Sequence, residues 1–216
     1  MRPSVTIIAS GLLIQIILTG PGQAGCPDPP HSFASPRLFA CPAGDSTFIV
    51  IGRSFANTPM PGRWVQLAFR DCDGFHLAPP KAGESFIRDS TGLRIWTTTD
   101  VSGIAAFPVS GGGACGSGFI DIGICGSDPP DTALFIPLGT RPVVSPDQNG
   151  DLVVDQSDLG LVEAKLGSDD PSADFDGDGV VTEADIAILR AHLGHAAAAA
   201  TPTRRESWGR LKILYR

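Results

Sequence analysis

Residues 147–158 read DQNGDLVVDQSD and residues 174–185 read DFDGDGVVTEAD, so one acidic pattern occurs twice in register. Of the 23 acidic residues in the chain, 12 lie between Asp147 and Asp185. The net charge of −7 therefore reflects this repeat, and no basic face of the kind that binds nucleic acid is evident.

Oxygen ligands are spaced in each copy as in an EF-hand-type calcium loop. Side-chain oxygens fall at loop positions 1, 3, 5, 9 and 12, and position 7 offers a backbone carbonyl. The pattern therefore predicts two Ca²⁺ sites. The predicted ligands are Asp147, Asn149, Asp151, Val153, Asp155 and Asp158 in the first loop, and Asp174, Asp176, Asp178, Val180, Thr182 and Asp185 in the second.

The two loops differ at position 6, where the sharp turn of such a loop calls for glycine. Gly179 supplies it in the second loop, but the first loop has Leu152. A leucine at positive φ is strained, so we expect the first calcium site to be the weaker one.

Each loop is followed by a segment with helical apolar spacing. Gly167 and Gly194 end these segments and suit a left-handed C-terminal cap. The spacing predicts one buried stripe on each helix, formed by Leu159, Leu161, Val162 and Leu166 and by Ile186, Ile188, Leu189 and Leu193.

No convincing helix precedes either loop, so the repeat is half of an EF-hand, duplicated. With Asp rather than Glu at position 12, residues 146–195 resemble the type I dockerin family. The resemblance implies docking to a cohesin-type partner on a cell surface or secreted scaffold, often beside polysaccharide-degrading enzymes. It also implies partner contacts near loop positions 10 and 11. These are Gln156, Ser157, Glu183 and Ala184.

Residues 1–24 read as a secretory signal peptide, with Arg2 before an apolar stretch of residues 5–18. That stretch is shorter than a membrane span, so the mature chain is predicted to be secreted or held at the cell surface without a transmembrane segment. The alternatives are an uncleaved anchor helix and a lipoprotein modified at Cys26.

A β-sandwich is predicted over residues 41–144, after a flexible, proline-rich leading segment at residues 25–40. Turn signals such as residues 111–113, GGG, separate the candidate strands. The sandwich resembles bacterial Ig-like modules, and a jelly-roll carbohydrate-binding module is the alternative. The candidate strands are residues 47–51, 64–69, 93–98, 103–109, 119–124 and 133–136.

The chain has five cysteines, and secretion favours structural disulfides. We expect two bonds among Cys41, Cys72, Cys115 and Cys125, with Cys26 left out because it lies in the leading segment. Their connectivity is open at this stage.

No catalytic motif is present, and we expect no enzyme activity. Glu84 and Asp89 are a possible carboxylate pair only by sequence proximity. Trp64 and Trp96 could serve as sugar-stacking platforms. Each lies in an alternating strand, however, where a tryptophan is more often a core residue, so we expect a structural role. Residues 196–216 read as a linker and a basic C-terminal tail.

The predicted fold is mainly β, an Ig-like β-sandwich with a small α-helical dockerin-like pair of half EF-hands. The leading functional hypothesis is a secreted, non-catalytic calcium-binding protein that docks to a cohesin-type or other scaffold partner. An accessory carbohydrate-binding protein, with calcium as a structural clip and a glycan as ligand, is the second. A glycoside hydrolase fragment is the third.

Overall fold

The computed structural model describes residues 25–44, 46–81, 83–115, 118–126 and 135–198. The predicted signal peptide and the basic tail from residue 199 onward lie outside these residues. Among the described residues, no helix combines the length and apolar character needed to cross a membrane.

The fold is mainly β, as predicted. The described residues contain a 3₁₀ turn at Pro29–His31 and two α-helices, α1 (Gln156–Glu163) and α2 (Glu183–Ala191). The strands are β1 (Phe33–Ala34), β2 (Leu38–Phe39), β3 (Phe48–Ile51), β4 (Trp64–Arg70), β5 (His76–Leu77), β6 (Ile87–Arg88), β7 (Arg94–Thr98), β8 (Ile104–Phe107), β9 (Gly111–Gly112), β10 (Phe119–Gly126) and β11 (Ile136–Val144).

The strands form a three-stranded sheet, β1-β3-β8, a six-stranded sheet, β2-β11-β10-β4-β7-β6, and the pair β5-β9. All pairings are antiparallel except β2 with β11, which is parallel. Alternating residues of the two larger sheets face each other, as strand periodicity requires. Their shared core includes Phe48, Val50, Phe107, Leu67 and Ile122, each 2 % exposed or less.

The leading segment belongs to this sandwich, which corrects the expectation of a flexible stretch over residues 25–40. β1 pairs with β3, and β2 pairs with the end of β11. Leu38 and Ala34 are buried in the sandwich core, so this proline-rich sequence gains its order from long-range pairing. Local composition alone does not reveal such pairing.

The disulfides also differ from expectation. Cys26 pairs with Cys125 and Cys72 pairs with Cys115, whereas Cys41 takes part in neither bond. The prediction that Cys26 stays outside the disulfides is wrong because the ordered leading segment brings its Cα within 5.5 Å of that of Cys125. The Cys41 thiol is buried, with its Sγ 3.4 Å from Nδ1 of His195.

The residues 111–113 were expected to form a turn, but two of them form β9, which pairs with β5. The last candidate strand, residues 133–136, shares only Ile136 with β11, which continues to Val144 and leads directly into the first acidic loop; residues 133 and 134 lie outside the described residues. The remaining five candidates overlap β3, β4, β7, β8 and β10.

A second, smaller core lies around the two helices. Leu159, Val162, Ile186 and Leu189 are buried in it, as predicted. Leu161, Leu166 and Leu193 are about 40 % exposed, so the buried stripe is narrower than the apolar spacing suggested. Two sandwich residues, Cys41 and Val144, are members of this second core.

Candidate metal centre

The second acidic loop brings three carboxylates together. Ligand oxygens of Asp174, Asp176 and Asp185 all lie within 4.8 Å of one another. In the described part of the chain no lysine or arginine forms an ion pair with these three carboxylates, although the Arg37 guanidinium donates to the backbone carbonyls of Asp174 and Asp176. Such a cluster of hard oxygen donors suits a calcium ion.

The last acid of each loop is fully buried and anchors the loop to its helix. Asp158 accepts hydrogen bonds from the amides of Gln148, Asn149 and Asp155, at 2.7, 3.1 and 2.8 Å. In the second loop, Asp185 accepts bonds from the amides of Phe175, Asp176 and Thr182, at 2.6, 3.1 and 2.8 Å. The carboxylate at position 12 thus holds both ends of its loop.

The helices begin at capping boxes built from the same residues. Asp155 accepts from the amide of Ser157 at 2.7 Å, and Thr182 accepts from the amide of Ala184 at 3.2 Å. Asp158 and Asp185 complete the boxes by accepting from the cap amides. The oxygen spacing predicted only calcium ligation for these residues, whereas the structure shows that they also cap the helices.

The first acid of each loop also organises backbone amides. Asp147 accepts from Gly150 and Leu152, both at 2.8 Å. Asp174 accepts from Gly177 and Gly179, at 2.5 and 3.0 Å. The same loop conformation is therefore built twice from the same hydrogen-bond pattern.

The side chains at positions 3 and 5 form successive turns with the backbone. Asn149 and Asp176 accept from the amides of Asp151 and Asp178, at 2.9 and 3.1 Å. Asp151 and Asp178 in turn accept from the amides of Val153 and Val180, both at 2.9 Å. The predicted ligand positions of both loops thus lie in two matching turns.

Position 6 has the backbone conformation that the sequence analysis anticipated. Leu152 has φ +67° and Gly179 has φ +95°. Leucine rarely adopts this left-handed region, which costs roughly 1–2 kcal/mol for a residue with a Cβ. The predicted positive φ at position 6 is confirmed for both Leu152 and Gly179.

Electrostatics at the first loop also fit a cation. Burial raises the pKa of the Asp147 carboxyl above its ordinary value, although hydrogen bonds from Gly150 and Leu152 oppose the shift. The charges of Asp158 and Asp151 raise the same pKa further. A divalent cation would relieve this repulsion, so the donor set fits Ca²⁺.

Asp170 lies between the two loops and is paired with a lysine, Lys165. Burial alone would raise its pKa, but hydrogen bonds from Ser172 and the nearby Lys165 ammonium lower the pKa below its ordinary value. Lys165 lies 3.1 Å from the Asp170 carboxylate and also donates to Gln148. This ion pair ties the end of α1 to the segment that precedes the second loop.

The four candidate partner residues lie at the starts of the helices. Gln156, Ser157, Glu183 and Ala184 are all exposed, in the first turns of α1 and α2. The repeat therefore presents two similar but chemically different helix starts to solvent.

The nominated catalytic pair has structural contacts. Glu84 forms an ion pair with Arg88, and Asp89 accepts from the amides of Leu93 and Arg94 at the turn before β7. Trp96 is 1 % exposed and donates from Nε1 to Gln66 at 3.1 Å, so it is a core residue, as predicted.

Comparison with known families agrees with the loop geometry. Residues 145–194 match the family model described as the dockerin type I domain. This part of the chain is therefore a type I dockerin module, a non-catalytic class that binds calcium and docks to cohesins. No curated protein and no solved structure matches the chain.

Proposed function

We propose that the chain is a secreted, non-catalytic protein that docks through residues 145–194 to a cohesin-type or other surface or scaffold partner. The observation that carries the proposal is the dockerin match over two loops whose acids at positions 1 and 12 bind the same backbone amides. Proteins with dockerin domains are typically extracellular or cell-surface proteins, in line with the predicted signal peptide and the two disulfides.

The twelve residues predicted from the spacing would hold two calcium ions, one in each loop. Bound calcium would neutralise the clustered carboxylates and fasten each loop to the helix that follows it. Asp158 and Asp185 already hold the amides of both loop ends, so the chain itself sets the loop shape. The first site is proposed to be the weaker because of the strain at Leu152.

The docking surface is proposed to include the exposed helix starts. Gln156 and Ser157 present an amide and a hydroxyl, whereas Glu183 and Ala184 present a carboxylate and a methyl group. Because these pairs differ, a partner that reads one helix start would not read the other equally well. Symmetric two-way binding is therefore disfavoured.

Binding to a panel of type I cohesins, measured by biolayer interferometry with calcium and with chelator, tests this function. We expect calcium-dependent binding that is weakened by Ser157→Arg or Ala184→Arg. Ser90→Arg, at an exposed position before β7, is the matched control. Binding that persists in chelator, or that tolerates both arginine variants, would contradict the proposed surface.

The alternative is a carbohydrate-binding sandwich in which calcium is only a structural clip. An open groove on the six-stranded sheet is the surface that this alternative would use, but two of its polar side chains already have partners, Asp121 with Arg70 and Gln66 with Trp96. Its lining includes Gln66, Asp121, Gly123, Phe135, Pro137 and Thr140. A glycan array distinguishes the two functions: binding that is lost in Asp121→Ala and retained in chelator would favour the sugar-binding role.

A further inference from the structure

The first calcium loop rests on the sandwich through its own backbone. The carbonyl of Asp147 accepts a hydrogen bond from the amide of Gly113 at 2.6 Å, and that of Gln148 accepts from Ala114 at 3.2 Å. The amides of Gly113 and Ala114 thus bind the carbonyls of loop positions 1 and 2, and we call residues 112–114 the seat segment.

The second loop is held at the same positions by a side chain. The Arg37 guanidinium donates to the carbonyls of Asp174 and Phe175, at 3.2 and 2.8 Å, and to that of Asp176 at 2.6 Å. These are loop positions 1, 2 and 3. Arginine suits this task because its planar group carries several fixed donors.

We propose that the sandwich preorganises both calcium loops, with Arg37 and the seat segment as positioning elements. The inference rests on the proposed calcium binding of the two loops. At equivalent positions the carbonyls are bound from outside by the sandwich, while the amides are bound from inside by Asp158 and Asp185. A loop fixed on both sides loses less conformational entropy when it closes on an ion.

The first calcium loop packs closely against the seat segment of the sandwich. A Cβ at Gly112 would overlap the Asp147 carboxylate, which explains a glycine at this point of β9. The Cys72–Cys115 bond lies directly after the seat segment and braces it. Glycine and a disulfide together allow the loop backbone to approach the sandwich without a side chain between them.

The pairing of β2 with β11 brings Arg37 to its loop. Phe39, two residues further along the chain, packs against Phe175 and His192 with ring centroids 6.2 and 5.1 Å apart. Cys41 and Val144 complete the core beneath the helices. The sandwich therefore supplies both apolar cover and hydrogen-bond donors to the dockerin module.

Arg37 also carries a positive charge, which by itself would repel a nearby calcium ion. Its three hydrogen bonds act in the opposite direction, because they hold the loop in its binding shape. Loss of charge-assisted bonds of this kind is expected to outweigh the relieved repulsion and to weaken calcium binding about tenfold.

Titration calorimetry of the full chain separates these two effects. With the first loop disabled by Asp151→Ala, we compare Arg37→Gln, which removes the charge, with Arg37→Lys, which keeps it. Positioning predicts weaker calcium binding in both variants, whereas a purely electrostatic effect predicts tighter binding in Arg37→Gln and no change in Arg37→Lys. Arg94→Gln, an exposed arginine on the sandwich, is the matched control.

Hydrogen exchange provides a second readout, which begins with the wild-type chain. Because the amides of Gly113 and Ala114 donate to the first loop, calcium should slow their exchange and chelator should speed it. Gly112→Ala should abolish this protection and weaken the first site, while Gly25→Ala, where a Cβ has open space, should change neither.

Unaltered calcium affinity in both Arg37 variants, together with exchange at the seat segment that ignores calcium, would overturn the preorganisation. Failure of the wild type to bind calcium at all would overturn the proposed function as well. Cohesin binding that is lost while calcium still protects the seat segment would overturn the docking function alone and support the preorganisation.

Discussion

The two acidic loops share one architecture but differ at six of their twelve residues and in burial. Position 3 is Asn149 in the first loop and Asp176 in the second, and position 6 is Leu152 against Gly179. The acid at position 1 is fully buried in the first loop, at Asp147, and half-buried in the second, at Asp174. The hydrogen bonds of the acids at positions 1 and 12 are the same in both.

This comparison separates what sets the loop shape from what adjusts its affinity. The shape depends on the two buried or half-buried acids and the backbone amides that they bind. Three other features can vary without changing that shape: the charge at position 3, the backbone strain at position 6 and the burial of the loop against the sandwich. A duplicated motif can therefore keep its fold while its two sites diverge.

Calcium removal tests what the loops share and should have the largest effect. Without the ion, the eight aspartates at predicted ligand positions, four in each loop, repel one another. Each site also loses the stabilisation that ligand binding gives to the native state, about 4 kcal/mol at a thousandfold excess over Kd. We expect chelator to lower helicity and melting temperature, measured by far-UV circular dichroism. Identical spectra and melting curves with and without calcium would contradict shared calcium dependence.

Loss of the ligand at position 5 tests whether the sites are independent. Asp178→Ala should abolish the tighter calcium-binding step and Asp151→Ala the weaker one, because each removes a carboxylate from its own loop. Titration calorimetry of the two matched variants measures the remaining step. Two wild-type sites of equal affinity would refute the assigned order.

Substitution of the residue at position 6 in each loop tests whether this residue causes the difference in calcium affinity between the loops. Leu152→Gly should tighten the first site roughly fivefold, since it relieves about 1 kcal/mol of left-handed backbone strain. Gly179→Leu should weaken the second site by a similar factor. If neither substitution changes the affinities in a calcium titration, the inequality has another origin.

Lowering the pH should have the smallest effect of these changes on calcium binding. Since burial raises the pKa of Asp147, protons compete with calcium at the first loop at a higher pH than at an ordinary aspartate. For the stability of the calcium-free protein, the pH dependence has the opposite sign. A raised pKa of Asp147 in the folded state stabilises the fold at low pH, and this stabilisation is lost as the pH rises through the folded-state pKa. Calcium titrations over a pH series check the competition, and melting curves of the calcium-free protein over the same series check the stability effect; in Asp147→Asn the part due to this carboxyl should be missing from the melting curves.

Local patterns in the sequence predicted the dockerin module well. Oxygen spacing gave the two loops, and the glycine rule at position 6 anticipated the positive φ of Leu152. Gly167 and Gly194 also have positive φ, at 78° and 86°, as expected for residues that end a helical segment. Each of these features depends on neighbours within a few residues, so a single sequence contains the necessary information.

Contacts between distant segments could not be predicted in this way. Arg37 lies more than a hundred residues before the carbonyls that it binds, and nothing in its neighbourhood distinguishes it from a surface arginine. The Cys26–Cys125 pairing likewise depends on the strands that order the leading segment. The run of glycines at residues 111–113 was visible, but its use as a close contact surface was not.

The position of β2 beside the last residues of β11 also determines how the protein carries a mechanical load. β11 runs into the first loop, and Leu38 and Phe39 pair in parallel with Val143 and Val144. Tension applied through the dockerin module therefore pulls along β11 and shears its hydrogen bonds with β2 and β10 together, instead of opening them one by one. Because forced unfolding is limited by the unfolding rate, we expect rupture of these hydrogen bonds to limit the unfolding of the sandwich under such a load.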